Sequence, residues 1–69
     1  MTYDEARKYF GLLEGESFDL STLREWRLHT QEIIKHPRDA HEELRAKLLL
    51  EAIDAAILGE VTKSETQPD

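Results

Sequence analysis

The feature that most constrains this chain is its short length combined with the absence of cysteine. Its 69 residues contain no thiol, so disulfides and thiolate zinc sites are excluded. A domain of this size buries only about 60% of its unfolded surface, and its core supplies roughly 3–5 kcal/mol of stability. We therefore expect one domain at most, in which helix packing, self-association or a partner protein supplies the stability.

Three positions have the residue types that begin helices. Thr2 with Glu5 forms a capping box, in which a hydroxyl and a carboxylate satisfy early backbone N–H groups. Asp19 is a second N-cap, and Asp39 with Glu42 is a third. Each cap is followed by apolar residues at helical spacing, which predicts a helix after each one.

Glycine and proline mark the predicted helix ends. Gly15 and Gly59 are natural residues to follow a helix, and Pro37 disfavours helical dihedral angles in the residue before it. No alternating run is long enough for a strand. The sequence therefore predicts an all-α, three-helix domain over residues 1–60, with a short first helix followed by a long antiparallel helical hairpin. The predicted helices span about 3–14, 20–36 and 40–58, and the polar tail at 61–69 is predicted to be disordered.

The third predicted helix has two apolar arcs on nearly opposite sides. One arc consists of Leu44, Leu48, Ala52, Ala55 and Leu58. The other consists of Ala46, Leu49, Leu50, Ile53, Ala56 and Ile57. A helix on the outside of a globular protein needs only one apolar stripe. Either the first two helices cover both arcs, or one arc remains free for a second copy or a partner helix.

We predict that the second arc is the contact surface. Its candidate partner-binding residues are Leu49, Leu50, Ile53 and Ile57. The expected protein is then a small, acidic, non-enzymatic adaptor that binds another protein or forms a homodimer.

The charge balance argues against two other classes of partner. Nine basic residues against 15 acidic ones give a net charge of −6. Nucleic-acid binders carry a basic patch, and anionic membranes attract the same charge. The longest apolar runs, at 48–50 and 55–58, are far shorter than the roughly 20 residues of a membrane span. We expect a soluble, cytoplasmic protein, and its acidity suits a basic protein partner.

One column of side chains on the second helix resembles a metal-binding arrangement. Glu25, His29, Glu32 and His36 recur at intervals of four, three and four residues, so they face one another across successive turns. Carboxylate and imidazole groups bind zinc or iron, and His41 and Glu42 beyond the turn are the only obvious further contributors. A metal-binding helical protein is thus an alternative, and a solvated face with Glu–His pairs is the simpler interpretation.

The sequence contains no pattern typical of an enzyme. Its serines are not in a glycine-flanked nucleophile turn, and its three glycines are too scattered to form a phosphate-binding loop. We expect no enzymatic activity, no catalytic residue and no cofactor.

Three short stretches give the chain a resemblance to a J domain, the module by which DnaJ-type co-chaperones stimulate Hsp70 ATPases. They are "YFGLL" at 9–13, the pair His36-Pro37 after the second helix, and "EAIDAAI" at 51–57. The resemblance implies a short helix, a hairpin, and a working loop of His36, Pro37 and Asp39. Arg38 interrupts the His-Pro-Asp signature of that family.

A second resemblance concerns the apolar end of the chain. The run "LLLEAIDAAI" at 48–57 is similar to the C-terminal helix of small helical-hairpin co-chaperones of type III secretion systems. That resemblance implies a helix that is covered by a partner protein.

Overall fold

The fold consists of three α-helices in a computed structural model that describes residues 1–13 and 15–66, with side chains described as far as Thr62. The helices are α1 (Tyr3–Tyr9), α2 (Leu20–Lys35) and α3 (Ala40–Thr66). The described ranges contain no strand. The predicted all-α, three-helix fold with a short first helix is confirmed.

The helix starts coincide with the capping residues. The Thr2 side chain accepts a hydrogen bond from the backbone N–H of Glu5 at 3.2 Å. Asp19 Oδ1 accepts one from the N–H of Ser21 at 3.0 Å, and Asp39 Oδ1 accepts one from the N–H of Glu42 at 2.7 Å. Each carboxylate or hydroxyl satisfies a donor that the first turn of a helix leaves unpaired.

Helix α1 ends five residues earlier than predicted. It stops at Tyr9, and the chain then passes through Gly11 with φ +71°. The N–H of Gly11 bonds to the carbonyl of Lys8 at 3.1 Å, and that of Leu12 to the carbonyl of Arg7 at 3.0 Å. This pair of bonds is a Schellman motif, which needs a left-handed residue directly after the helix. The correction is that Gly11, and not Gly15, terminates α1.

Replacement of Gly11 by alanine is expected to cost about 1–2 kcal/mol, because a Cβ disfavours the left-handed conformation. A Cβ at this position would meet no other atom within 4 Å, so the cost is conformational only. Urea unfolding should show a lower midpoint for Gly11→Ala and a smaller loss for Gly11→Asn, since asparagine tolerates positive φ. Equal midpoints for the alanine variant and the wild type would contradict the assigned turn.

Helix α3 is longer than predicted. It continues through Gly59 to Thr66, so the end predicted at Leu58 is wrong, and residues 61–66 of the predicted disordered tail are helical. The remaining tail residues, 67–69, lie outside the described residues. Gly59 is not in the left-handed conformation that ends a helix. Glycine is required at position 59 for a different reason, because a Cβ there would overlap the ring of Tyr3.

Helix α3 is the central element, and both other helices pack against it. Helix α1 runs antiparallel to it, since Tyr3 contacts Gly59 near the far end of α3, whereas Tyr9 lies beside Ala46 and Leu49. The core cluster is formed by four buried side chains. They are Ala6 from α1, Leu23 from α2, and Ile53 and Ala56 from α3. Small residues on both helices allow α1 to approach α3 closely.

Aromatic rings close the core at the turn between α1 and α2. Phe10 contacts Phe18 edge to face at 5.5 Å between ring centroids, and Trp26 at 5.7 Å. Such contacts add roughly 0.5–1.5 kcal/mol each beyond buried area. The sequence predicts Trp26 as a core anchor, yet 44% of its surface remains exposed. The expectation of a buried Trp26 is therefore wrong, although its ring contacts Phe10.

Candidate protein-interaction surface

The structure places one predicted contact residue in the middle of the core. Ile53 is 0% exposed and belongs to the core cluster, and Leu49 and Ile57 are partly buried against that cluster. Leu50 is also partly buried. The choice of this arc as the exposed one is therefore corrected. Helices α1 and α2 both pack on the side of α3 that carries Ile53. The side that carries Leu44, Leu48 and Leu58 is left largely exposed.

The open half of α3 carries a row of exposed leucines, which we call the outer face. Its exposed apolar residues are Leu44, Leu48 and Leu58, and between them lies Ala55, which is partly buried against the core cluster. Leu44 and Leu58 are each 69% exposed, and Leu48 is 46% exposed. These residues extend over about 21 Å at the usual rise of an α-helix. The leucines of the first apolar arc are thus the exposed ones, whereas Ala52 of that arc is fully buried and Ala55 is partly buried against the core cluster.

Charged side chains of both signs lie within the outer face. Lys47 is on the open side of α3 and forms an ion pair with Glu43 at 3.1 Å, one turn earlier. Glu51 lies one turn after Lys47, and its carboxylate is 3.7 Å from the N-terminal ammonium group of Met1. The Lys47–Glu43 pair lies at the surface, and surface pairs contribute little to stability. These charges are therefore available to a partner at small cost.

A second apolar surface lies beside the short helix α1. Since α1 ends at Tyr9, it covers only part of α3, and a groove remains between the end of α1 and the hairpin. The groove is lined by Tyr9, Ile33, Asp39, His41, Glu42, Arg45, Ala46 and Leu49. Its floor is apolar and its rim carries charges of both signs. Sequence reasoning missed this groove, because it results from the early end of α1 at Gly11.

The hairpin loop is held by local interactions. Helix α2 ends at Lys35, before Pro37. Asp39 caps α3, and Glu42 Oε1 accepts a hydrogen bond from the backbone N–H of Arg38 at 3.2 Å. His36 is exposed. Pro37 and Asp39 therefore each have a structural role in the turn, and the working loop implied by the J-domain resemblance stays a prediction.

The column of Glu and His side chains lies on the exposed side of α2. Glu25, His29, Glu32 and His36 are all exposed, and Glu32 lies 3.7 Å from the ammonium group of Lys35. Within the described part of the chain, no three His, Asp or Glu side chains converge to hold a metal ion. Neighbouring turns of one helix supply no ligand from a facing element, and the metal-binding alternative stays a prediction.

Neither the composition of the helices nor comparison with known proteins assigns a function to these surfaces. In the described residues, no helix has both the length and the apolar composition of a membrane span. Searches against protein-family models, curated proteins and solved structures gave no match.

Proposed function

We propose that the protein is a small, non-enzymatic interaction module that binds another protein chain through the outer face of α3. The observation that carries the proposal is the row of exposed leucines on the side of α3 opposite the core. An isolated exposed leucine needs no explanation, but three exposed leucines on one side of the same helix favour an interaction site. The proposal includes the cytoplasmic setting expected from the sequence.

Three properties of the outer face support this function. Leu44, Leu48 and Leu58 repeat at helical spacing, which suits recognition of an apolar stripe on another helix. The surface lies on the longest helix, which is fixed by contacts with both α1 and α2. A rigid surface loses little conformational entropy on binding, which favours affinity.

The outer face is a stronger candidate than the groove beside α1. The floor of the groove includes Ala46, which is 5% exposed, and the partly buried Leu49. Those side chains already contribute to folding, so a partner would remove little additional apolar area from water. Leu44 and Leu58 are more than two-thirds exposed, so covering them removes more apolar surface from water.

Photo-crosslinking in the native host tests this proposal. A benzophenone amino acid at position 48 is expected to form an adduct with a protein chain. The same amino acid at position 28 is the matched control, because Leu28 is 64% exposed on α2 and lies outside both apolar surfaces. The control should give no adduct. If the folded protein with the probe at position 48 also gave none, the proposal would be wrong.

A further inference from the structure

We infer that the outer face of α3 binds a second copy of this chain, with the two α3 helices antiparallel. This inference rests on the proposed function, since it names the partner of that surface. Three features of α3 support it: the spacing of its outer positions, the sizes of the side chains there, and the placement of the charges.

The outer positions of α3 follow the spacing of a coiled-coil seam. Starting at residue 44, they recur at intervals of four, three, four, three and four residues. These positions are occupied by Leu44, Leu48, Glu51, Ala55, Leu58 and Thr62. A repeat of 3.5 residues keeps such a seam facing another helix over several turns. Apolar residues at this spacing are therefore suited to a long helix as partner.

The core-facing positions of α3 lie opposite this seam. Ala46 and Ile53 are seven residues apart, and both are buried. In a heptad that places Leu44 and Leu48 in the seam, they occupy the position farthest from it. One side of α3 therefore packs in the core, and the other side forms the seam. Binding of a second copy at the seam would leave the core contacts of α3 in place.

Side-chain size favours an antiparallel pair. When Leu44 faces Ala55 of the second copy, a large residue meets a small one, and two-fold symmetry makes the same contact twice. In this register Leu48 faces Glu51 of the second copy in the two layers next to the two-fold axis, where Lys47 lies beside the carboxylate. A parallel pair would instead place Glu51 against Glu51, so two carboxylates would be desolvated together.

Charge complementarity supports the same orientation. In the antiparallel register, Lys47 lies beside Glu51 of the second copy, whereas Asp54 is already paired with Arg27 of its own chain at 2.9 Å. Two-fold symmetry gives two such sets of opposite charges. Within its own helix Lys47 forms an ion pair with the partly exposed Glu43. A surface pair of this kind is broken at little cost when Lys47 pairs with a second copy.

Analytical ultracentrifugation of charge-reversed variants tests the contact. The wild type is expected to approach twice its 8.0 kDa monomer mass as concentration rises. Lys47→Glu and Glu51→Lys should each weaken the dimer by roughly tenfold or more, since like charges then face each other. An equimolar mixture of the two variants should associate again, because opposite charges meet only between unlike chains. That rescue cannot come from changes within a single helix.

Introduced cysteines test the orientation, since the chain has none of its own. With a short bifunctional maleimide, a mixture of Leu44→Cys and Ala55→Cys chains should give cross-linked heterodimers, whereas Leu44→Cys alone should give few. Efficient cross-linking of Leu44→Cys with itself would indicate a parallel pair and overturn the inference.

Two further variants separate this inference from the proposed function. Leu48→Glu should be a folded monomer, and the control Leu28→Glu should dimerise like the wild type. A wild type that stays monomeric at its highest soluble concentration would overturn the inference. If position 48 then cross-linked to a different protein in the host, the proposed function would stand, whereas the absence of any adduct would refute both.

Discussion

Ile53→Asp is expected to unfold the protein. Ile53 is 0% exposed and packs in the cluster with Leu23, Ala6 and Ala56. The substitution removes an isoleucine whose burial stabilises the fold by roughly 1.5–3 kcal/mol. An uncompensated buried carboxylate adds a further penalty of several kcal/mol. The sum exceeds the roughly 3–5 kcal/mol that the core of so small a domain supplies. Far-UV circular dichroism should show loss of helix at 25 °C.

Leu48→Asp is the matched variant on the other side of α3. Leu48 is 46% exposed, so the carboxylate of an aspartate introduced at this position would remain in water. We expect native helix content and cooperative melting. The melting temperature should fall only by the amount that dimer formation contributes, which depends on protein concentration. A folded Ile53→Asp variant, or a Leu48→Asp variant that unfolds on dilution, would contradict the assignment of the two sides.

The number of helices and their starting points could be predicted from the sequence, because local interactions determine them. The N-caps at Thr2, Asp19 and Asp39 act within a few residues of the chain. Pro37 likewise acts on the residue directly before it. Local rules of this kind require no knowledge of the tertiary fold.

The buried side of α3 could not be predicted, because both arcs carry similar apolar residues. What decides between them is the packing of α1, which requires small side chains at the contact. Ala52 and Ala56 are 0% exposed, as is Ala6 on α1. Alanines are common on any helix surface, so nothing local in the sequence marks these as contact positions. The exposed leucines followed from that packing and not from their own pattern.

The helix ends were misassigned where a glycine has more than one possible role. Gly15 and Gly59 both follow apolar helical segments, and each therefore resembles a helix terminator. Gly11 performs that role for α1 with φ +71°. Gly59 lies inside α3 because the Tyr3 ring occupies the space of a side chain. Such a contact between residues far apart in sequence cannot be derived from local spacing.

Gly59→Ala is expected to destabilise the protein by about 1–3 kcal/mol, the usual cost of overpacking. In an ordinary helix interior the same substitution would stabilise by about 1 kcal/mol. The sign reverses because the added Cβ overlaps the Tyr3 ring. That ring cannot move freely, since its hydroxyl donates a hydrogen bond to Glu60 Oε1 and its edge contacts Phe18 at 6.0 Å between centroids. Thermal melting should show a decrease of several degrees.

A double-mutant cycle with Tyr3→Ala isolates this contact. Removal of the ring opens the space beside Gly59, so Gly59→Ala should become stabilising in the Tyr3→Ala background. The difference between the effects of Gly59→Ala on the free energy of unfolding in the two backgrounds measures the coupling between Tyr3 at the start of α1 and Gly59 in α3. Gly59→Ala that stabilises both backgrounds equally would mean that Tyr3 does not pack on α3 at this position. Helix α1 would then lose its anchor there, and with it the closure of the core that leaves the outer face as the open side of α3.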